Sequence, residues 1–311
     1  MAGNSSARAA SIAGLLSLSL LWAFGILRTD LLPRLIVDPL PYLQKQALSF
    51  ALLTIVTSLA ATLRQEGWPC RRLLWDSVFV GLGLFVIPLG LTTLATGWVP
   101  GLAQAATLFT LTPVFALVFE PYMSPGTATQ SRGGLIAALA SLAGALCVFP
   151  VGIPASIQAA GGLCAMILAT ACVAAANCKA VATAKEFSGR SAATQAAIAA
   201  ATATISLTAA SAVTERPLWK WDALRPELLW SAMIELPGLL LLFWLLRRMS
   251  ATRMTTRYVL APLLAILAGA GLIRIPLAPR TWLGLLLMAA GAAYLLLAPE
   301  AESKLEGLSL R

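Results

Sequence analysis

The residue best suited to chemistry is Glu235, which lies inside the apolar run ELLWSAMIELPGLLLLFWLL. An ionised carboxylate is costly in hydrocarbon, so it must face a partner or a water-filled cavity. Pro237 follows two residues later and frees the backbone carbonyl of Met233. We therefore predict that Glu235 binds a proton or the cationic group of a substrate. The alternative is a neutral structural acid that is hydrogen-bonded to a neighbouring helix.

Four further side chains are candidates for the same site. Gln104 and Asn177 either supply hydrogen bonds to a substrate or join helices. Tyr258, four residues before Pro262, is a candidate wall of a cavity. Lys45 lies one turn into an apolar segment, where a lysine can also extend its amine to the interface.

Prolines interrupt several of the apolar segments. Pro113 lies in TLFTLTPVFALVFE and Pro262 in the similar TTRYVLAPLLAILAGAGLIR. A proline frees a backbone carbonyl, which in lipid must be satisfied by protein or by cavity water. Matching broken helices in two halves of a membrane protein indicate a central site, although an ordinary packing kink stays the alternative. The predicted helix kinks are at Pro88, Pro113, Pro237 and Pro262.

The composition places the chain among membrane proteins. Of its 311 residues, 59% are hydrophobic and 11% are charged, and the mean hydropathy is +0.84, far outside the range of a soluble domain. Ten segments approach the ~20 residues needed to cross a hydrocarbon core. They predict an all-α integral membrane protein with spans at roughly 11–27, 41–63, 74–95, 101–119, 133–150, 158–180, 192–213, 228–246, 256–273 and 281–298. The first is expected to be retained, because no signal-peptidase site follows it.

Basic residues predict the orientation. With the N-terminus inside, 14 of the 22 basic residues lie in inner loops and tails, which favours a multi-pass protein of the cell (inner) membrane with both termini in the cytoplasm. The inner set is Arg8, Arg64, Arg71, Arg72, Arg132, Lys179, Lys185, Arg190, Arg247, Arg248, Arg253, Arg257, Lys304 and Arg311. The outer set is Arg28, Arg34, Lys45, Arg216, Lys220, Arg225, Arg274 and Arg280.

This inner excess also accounts for the net charge of +9. Nucleic-acid binding would need a basic domain exposed to water, and no loop is long enough to fold into one. The expected partners are therefore membrane lipids and a small-molecule substrate, with no nucleic acid. A homodimer is left open.

The ten spans divide into two sets of five, at 1–152 and 153–299, followed by a cytoplasmic tail at 300–311. An odd number of spans per set requires the second set to enter from the opposite side, so the predicted repeat is inverted in the membrane. Gly144 lies 31 residues after Pro113, and Gly291 lies 29 residues after Pro262, a similar spacing in both sets.

Catalytic and metal-binding patterns are absent from the sequence. It contains no histidine, which removes imidazole bases and histidine metal sites. Five cysteines form no CxxC pair, and no phosphate-binding loop indicates use of ATP. We expect neither an enzyme nor a cofactor or metal.

Three stretches resemble a known family. LSLLWAFG, TLFTLTPVFALVFE followed by GGLIAALASLAGALCVF, and APLLAILAGAGL followed by WLGLLLMAAGAAYLLL look like the two EamA repeats of the drug/metabolite transporter superfamily, over nearly the whole chain. The resemblance implies a bundle of ten transmembrane helices as two inverted five-helix repeats. It further implies a secondary carrier working by alternating access, often an exporter of amino acids or related metabolites.

The resemblance also implies roles for individual residues. Trp22 matches a tryptophan of the family's first helix and becomes a candidate cavity wall, and Lys45 becomes a candidate partner for a carboxylate. Glu120 fits the acid that closes the first proline helix, whereas Arg274 stands near that place in the second half. Two other functions stay open: a non-transporting membrane receptor or scaffold, and an intramembrane enzyme.

Overall fold

The computed structural model describes residues 2–31, 40–96, 107–123, 132–152, 154, 156–187, 191–216, 220–273 and 277–298. Across these residues the chain is helical and contains no strand. In chain order the helices are α1 (Ala2–Leu31), α2 (Tyr42–Leu63), α3 (Arg71–Gly81), α4 (Ile87–Thr96), α5 (Thr112–Met123), α6 (Arg132–Val148), α7 (Ile157–Glu186), α8 (Ala192–Thr214), α9 (Trp221–Trp230), α10 (Leu236–Leu246), α11 (Ala251–Thr255), α12 (Arg257–Ile273) and α13 (Pro279–Leu297).

Eight helical segments of this part of the chain are long and apolar enough to cross a membrane. Two shorter apolar helices, Thr107–Met123 and Arg132–Val148, accompany them. In such helices almost all interior backbone groups are bonded within their own segment, which is why they are stable in lipid. The predictions of an all-helical fold and a multi-pass membrane protein are confirmed.

Two π-helical turns interrupt long helices just before prolines. The turn Leu82–Val86 joins α3 to α4 two residues before Pro88, and Ser231–Glu235 joins α9 to α10 two residues before Pro237. Proline donates no hydrogen bond and clashes with the carbonyl four residues earlier. The wider π turn accommodates both defects without ending the helix.

The two other predicted kink prolines have different surroundings. Residues 110 and 111 form a turn, and Pro113 lies in the first turn of α5, where its missing N–H removes no helical hydrogen bond. Pro262 lies inside α12, with the helix continuing on both sides of it. The sequence did not distinguish these positions, because all four prolines lie in apolar runs.

The chain forms two compact units, and each unit takes helices from both halves of the sequence. Unit 1 contains residues 1–90 and 180–249. Its core includes the pair α2 and α8, and Gly81 approaches α8 so closely that a Cβ atom there would lie 2.5 Å from the carbonyl oxygen of Ala199. Phe50 of α2 packs on Phe85, with ring centroids 4.5 Å apart.

In unit 1, helices α2 and α8 cap each other through two glutamates. Glu66, just after α2, accepts hydrogen bonds from the backbone N–H groups of the second and third residues of α8, at 3.4 and 2.8 Å. Glu215, directly after α8, accepts them from the second and third residues of α2, at 2.9 and 3.2 Å. Each carboxylate thus satisfies free N–H groups at the positive end of the partner helix.

Unit 2 contains residues 91–179 and 250–311. Its described helices include the closely packed pair α6 and α13, which meet at glycines. A Cβ atom at Gly144 would lie 2.5 Å from the carbonyl oxygen of Gly284, and one at Gly291 would lie 2.4 Å from that of Ala137. The absence of side chains at these glycines is what allows the two backbones to approach.

Glu120 of unit 2 is buried and caps a helix. Its Oε1 accepts from the backbone N–H of Ala251 at 3.1 Å, and its Oε2 accepts from the hydroxyl of Thr252 at 2.6 Å. The sequence suggested that the helix ends at Glu120. In the structure it continues through Pro121 to Met123. Arg274, which stands near the corresponding place in the second half, lies outside the described residues.

Candidate functional site

Glu235 is the last residue of the second π turn in unit 1. It accepts a hydrogen bond from the hydroxyl of Ser49 on α2 and a longer one, at 3.4 Å, from the hydroxyl of Ser231. The two serine hydroxyls are themselves 2.9 Å apart. No basic nitrogen of the described residues lies within 4.0 Å of this carboxyl group.

This arrangement suits either protonation state of the acid. A serine hydroxyl donates to a carboxylate and accepts from a carboxylic acid, simply by rotating about its C–O bond. The site can therefore hold Glu235 charged or neutral without moving a helix.

Two turns earlier on the same helix lies a cluster of buried charges. The guanidinium Nη2 of Arg28 donates to Glu227 Oε1 at 2.5 Å, and the Lys45 amine lies 3.7 Å from Glu227 Oε2. The side chains of Arg28 and Glu227 are only 7% and 3% exposed. Arg28 also lies over the ring of Trp230, 4.2 Å from its centroid.

The cluster and Glu235 belong to one row of polar contacts, which we call the polar ladder. It consists of Lys45 and Ser49 on α2 and of Glu227, Ser231 and Glu235 on the facing helix, with Lys45 opposite Glu227 and Ser49 opposite Ser231. The residues on each helix are four apart and so share one face. A row of polar groups thus runs along the contact between α2 and the facing helix.

Glu227 alone does not balance the positive charges of Arg28 and Lys45. Arg28 and Lys45 carry two positive charges against one negative charge, so an ionised Glu235 would complete the balance. Within the described residues, Arg28 Nη1 and Glu227 Oε2 are buried without a hydrogen-bond partner. Buried polar atoms are seldom left unsatisfied, so these two atoms mark the part of the cluster whose hydrogen bonding is incomplete within the described residues.

A second polar cluster lies in unit 2 and contains two of the predicted residues. Arg257 Nη2 donates to Asn177 Oδ1 at 2.9 Å and to the Tyr258 hydroxyl at 3.2 Å, and Nη1 donates to the carbonyl of Met254 at 3.1 Å. The ring of Tyr258 stacks on Phe109, with centroids 6.0 Å apart. Asn177 and Tyr258 therefore meet through an arginine that the sequence did not single out.

The structure thus groups the predicted site residues by unit. Glu235 and Lys45 share the polar ladder of unit 1. Trp22 belongs to the same unit and is half-buried on α1. Asn177 and Tyr258 lie together in unit 2. Gln104 falls outside the described residues.

Sequence reasoning missed the three most deeply buried charges of these clusters. Arg28 and Arg257 were expected in loops, but they are 7% and 0% exposed, and Glu227 is buried although it lies just before the predicted eighth span. Charges at the ends of apolar runs look like interface residues, and their partners are too distant in the chain to suggest otherwise. The four-residue spacing of Glu227, Ser231 and Glu235 was the available signal.

Comparisons with known proteins bear on the fold but not on the activity. No model of a known protein family matches the sequence, and no curated protein matches it. One solved structure superposes with a TM-score of 0.70 at 20% sequence identity, over 94% of this chain and 99% of that chain. Its description reads "Crystal structure of protein" and names no activity. A likeness at this identity shows a shared fold alone.

Proposed function

We propose that this protein is a secondary transporter of a small metabolite, such as an amino acid or a related compound, and that it works as an exporter by alternating access. The resemblance of its sequence to the EamA repeats of the drug/metabolite transporters supports the same class. Both termini would lie in the cytoplasm, the protein would be in the inner membrane, and no catalytic step is proposed.

One observation carries this proposal: Glu235 lies inside a membrane helix, at a π turn, and is held by hydroxyl groups rather than by a cation. Ionisable groups within membrane segments are rare, because they are costly in hydrocarbon, and they mark substrate or proton pathways. A receptor or a scaffold has no need of such an acid. A carrier that couples flux to protons does.

In the proposed mechanism, Glu235 is the coupling residue. It would be protonated from one side of the membrane and deprotonated on the other, with the Ser49 and Ser231 hydroxyls following each change. Arg28, Lys45 and Glu227 would supply the charges that orient a polar substrate along the ladder. In unit 2, Asn177 and Tyr258 would provide a hydrogen-bonding group and an aromatic surface.

Two matched features support the inverted repeat that this mechanism requires. The π turns precede Pro88 and Pro237 by the same number of residues. The capping glutamates Glu66 and Glu215 follow α2 and α8 and exchange partners. The two shorter apolar helices, Thr107–Met123 and Arg132–Val148, would serve as the fourth and fifth spans of a ten-span bundle.

The test is uptake of a mixed metabolite pool into proteoliposomes, with and without an imposed pH gradient. The native protein is expected to show flux driven by the gradient. Glu235→Gln keeps the size and hydrogen bonding of the side chain but cannot exchange a proton, so we expect it to lose the response to the gradient.

The matched control is Glu186→Gln, which removes an exposed acid of the same unit. It should leave flux and its pH dependence unchanged. Flux that is indifferent both to the gradient and to Glu235→Gln would contradict proton coupling. Absence of flux for every compound would contradict the carrier and favour a receptor.

A further inference from the structure

A cavity of about 380 Å³ lies in unit 1, at the C-terminal ends of α7 and α10. Its lining residues are Ala184, Lys185, Trp244, Arg247 and Arg248. Three of these five side chains are cationic. The polar ladder contributes none of them, so the cavity is separate from the site described above.

The three cations are not neutralised by the described part of the chain. No carboxylate of the described residues lies within 4.0 Å of Lys185, Arg247 or Arg248. The neighbouring acid, Glu186, pairs instead with Arg72 at 2.8 Å. Three like charges around one cavity repel each other, and an anion placed between them would remove that cost.

The helix dipole offers a simpler explanation for the three basic residues, because cations near a helix C-terminus interact favourably with it. That explanation does not require a cavity or an aromatic ring beside the cations, yet the structure has both. The guanidinium of Arg248 lies over the ring of Trp244, 4.3 Å from its centroid, which fixes one cation at the wall of the cavity.

Trp244 also connects the cavity to the apolar surface of the bundle. Its ring packs against α1, where a Cβ atom at Gly14 would lie 3.0 Å from it, yet the side chain remains 36% exposed. One turn earlier on α10, Leu240 is exposed to a similar extent. A ligand bound here would therefore meet cations at one end and an apolar surface at the other.

We propose that this cavity binds an anionic phospholipid, with its phosphate among Lys185, Arg247 and Arg248 and its glycerol and acyl region along Trp244. Basic pockets at the ends of membrane helices suit such headgroups, and tryptophan suits the interface. The apolar side of the cavity favours a lipid over free phosphate. This inference goes beyond the proposed transport function and does not depend on it.

The test compares lipid retention by purified protein in nanodiscs of phosphatidylcholine alone and of phosphatidylcholine mixed with phosphatidylglycerol. The native protein should retain phosphatidylglycerol preferentially and gain thermal stability from it. Each basic residue near the membrane surface contributes about fivefold to the affinity for an anionic lipid. The variant Lys185→Gln/Arg247→Gln/Arg248→Gln lacks three of them, so its affinity for phosphatidylglycerol should be roughly a hundredfold lower. In pure phosphatidylcholine its thermal midpoint should be no lower than that of the native protein, because all three residues are exposed and their mutual repulsion is removed.

The matched control, Arg8→Gln/Arg64→Gln/Arg71→Gln, removes three exposed arginines that also lie on the predicted inner side. It should keep the preference for phosphatidylglycerol. An equal loss in the control would overturn the proposal, because the effect would then be one of overall charge. A second arm adds inorganic phosphate to protein in neutral detergent. Stabilisation by phosphate alone, with no added effect of phosphatidylglycerol, would equally overturn the assignment to a lipid.

Discussion

At the scale of single residues, the cluster of Arg28, Lys45 and Glu227 is where one substitution has the largest expected effect. The carboxylate faces two cations, and the Arg28 and Glu227 side chains are almost fully buried. Removing one partner of a buried ion pair leaves an uncompensated charge, which costs much more than the pair itself contributes.

We therefore expect Glu227→Ala to lower the free energy of unfolding by about 3–5 kcal/mol. Denaturant unfolding in mild detergent measures this loss. The control is Arg72→Ala, which breaks the exposed pair with Glu186 and should cost less than about 1 kcal/mol. Replacing Arg28 by leucine in the Glu227→Ala background should recover part of the lost free energy of unfolding, because it removes the buried charge left without a partner. Equal effects of the buried and exposed substitutions would contradict this account of the cluster.

Ser49 is expected to affect proton coupling rather than folding. Ser49→Ala removes the hydroxyl that donates to Glu235, and a hydrogen bond of this kind contributes about 0.5–1.5 kcal/mol. The pH at which flux is half-maximal should shift accordingly. Ser58→Ala changes an exposed serine of the same helix and should shift nothing. An unchanged pH profile in Ser49→Ala would remove this serine from the mechanism.

At the scale of helices, the exchange of caps between α2 and α8 links the two elements at both ends. An acid that caps a helix typically stabilises it by about 0.5–2 kcal/mol, through hydrogen bonds to free N–H groups and through the helix dipole. The two caps lie at opposite ends of their helix pair, so their energies should be independent.

Glu66→Ala and Glu215→Ala should each lower the free energy of unfolding by about 1–2 kcal/mol. The double variant should show the sum of the two losses, within about 0.5 kcal/mol. Glu66→Gln should lose less than Glu66→Ala, because the amide oxygen still accepts a hydrogen bond. A double variant no less stable than either single one would mean that the caps do not act separately.

The packing of α6 on α13 depends on glycine at the contact. In Gly144→Ala the new methyl group would lie 2.5 Å from the carbonyl oxygen of Gly284, so the two backbones must separate. Overpacking of this kind costs about 1–3 kcal/mol. Gly25→Ala meets no atom within 4 Å and should be neutral or stabilising by up to about 1 kcal/mol, because alanine favours the helix. Thermal unfolding of the two variants side by side tests the contact.

At the scale of the whole molecule, the proposed orientation places the loop after α2 in the cytoplasm. Cys70 lies in this loop and is exposed, directly before α3. A membrane-impermeant maleimide should therefore label Cys70 in inside-out vesicles and not in intact cells or spheroplasts. Cys70→Ser should abolish the labelling and so exclude the other four cysteines as its source. Labelling from the outer side would reverse the proposed orientation.

The sequence by itself determined the class of the protein and the course of its helices. Hydropathy is a local property, and an apolar run of about 20 residues has few stable alternatives to a membrane helix. The sequence also indicated Glu235, because an acid in an apolar run is visible without any partner. It did not indicate that Pro88 and Pro237 follow π turns, since a proline signals a defect without showing how the backbone accommodates it.

Only the tertiary structure decided which charges are buried and with what partner. Arg28 and Glu227 are 199 residues apart in the chain, and no local pattern joins them. Arg257 stands in a basic, polar stretch typical of a loop, yet it is fully buried and joins Asn177 to Tyr258. The capping of α8 by Glu66 and of α2 by Glu215 is equally invisible in the sequence. In each case the energy comes from pairing across the fold, whereas the information in hydropathy and spacing extends over only a few helical turns.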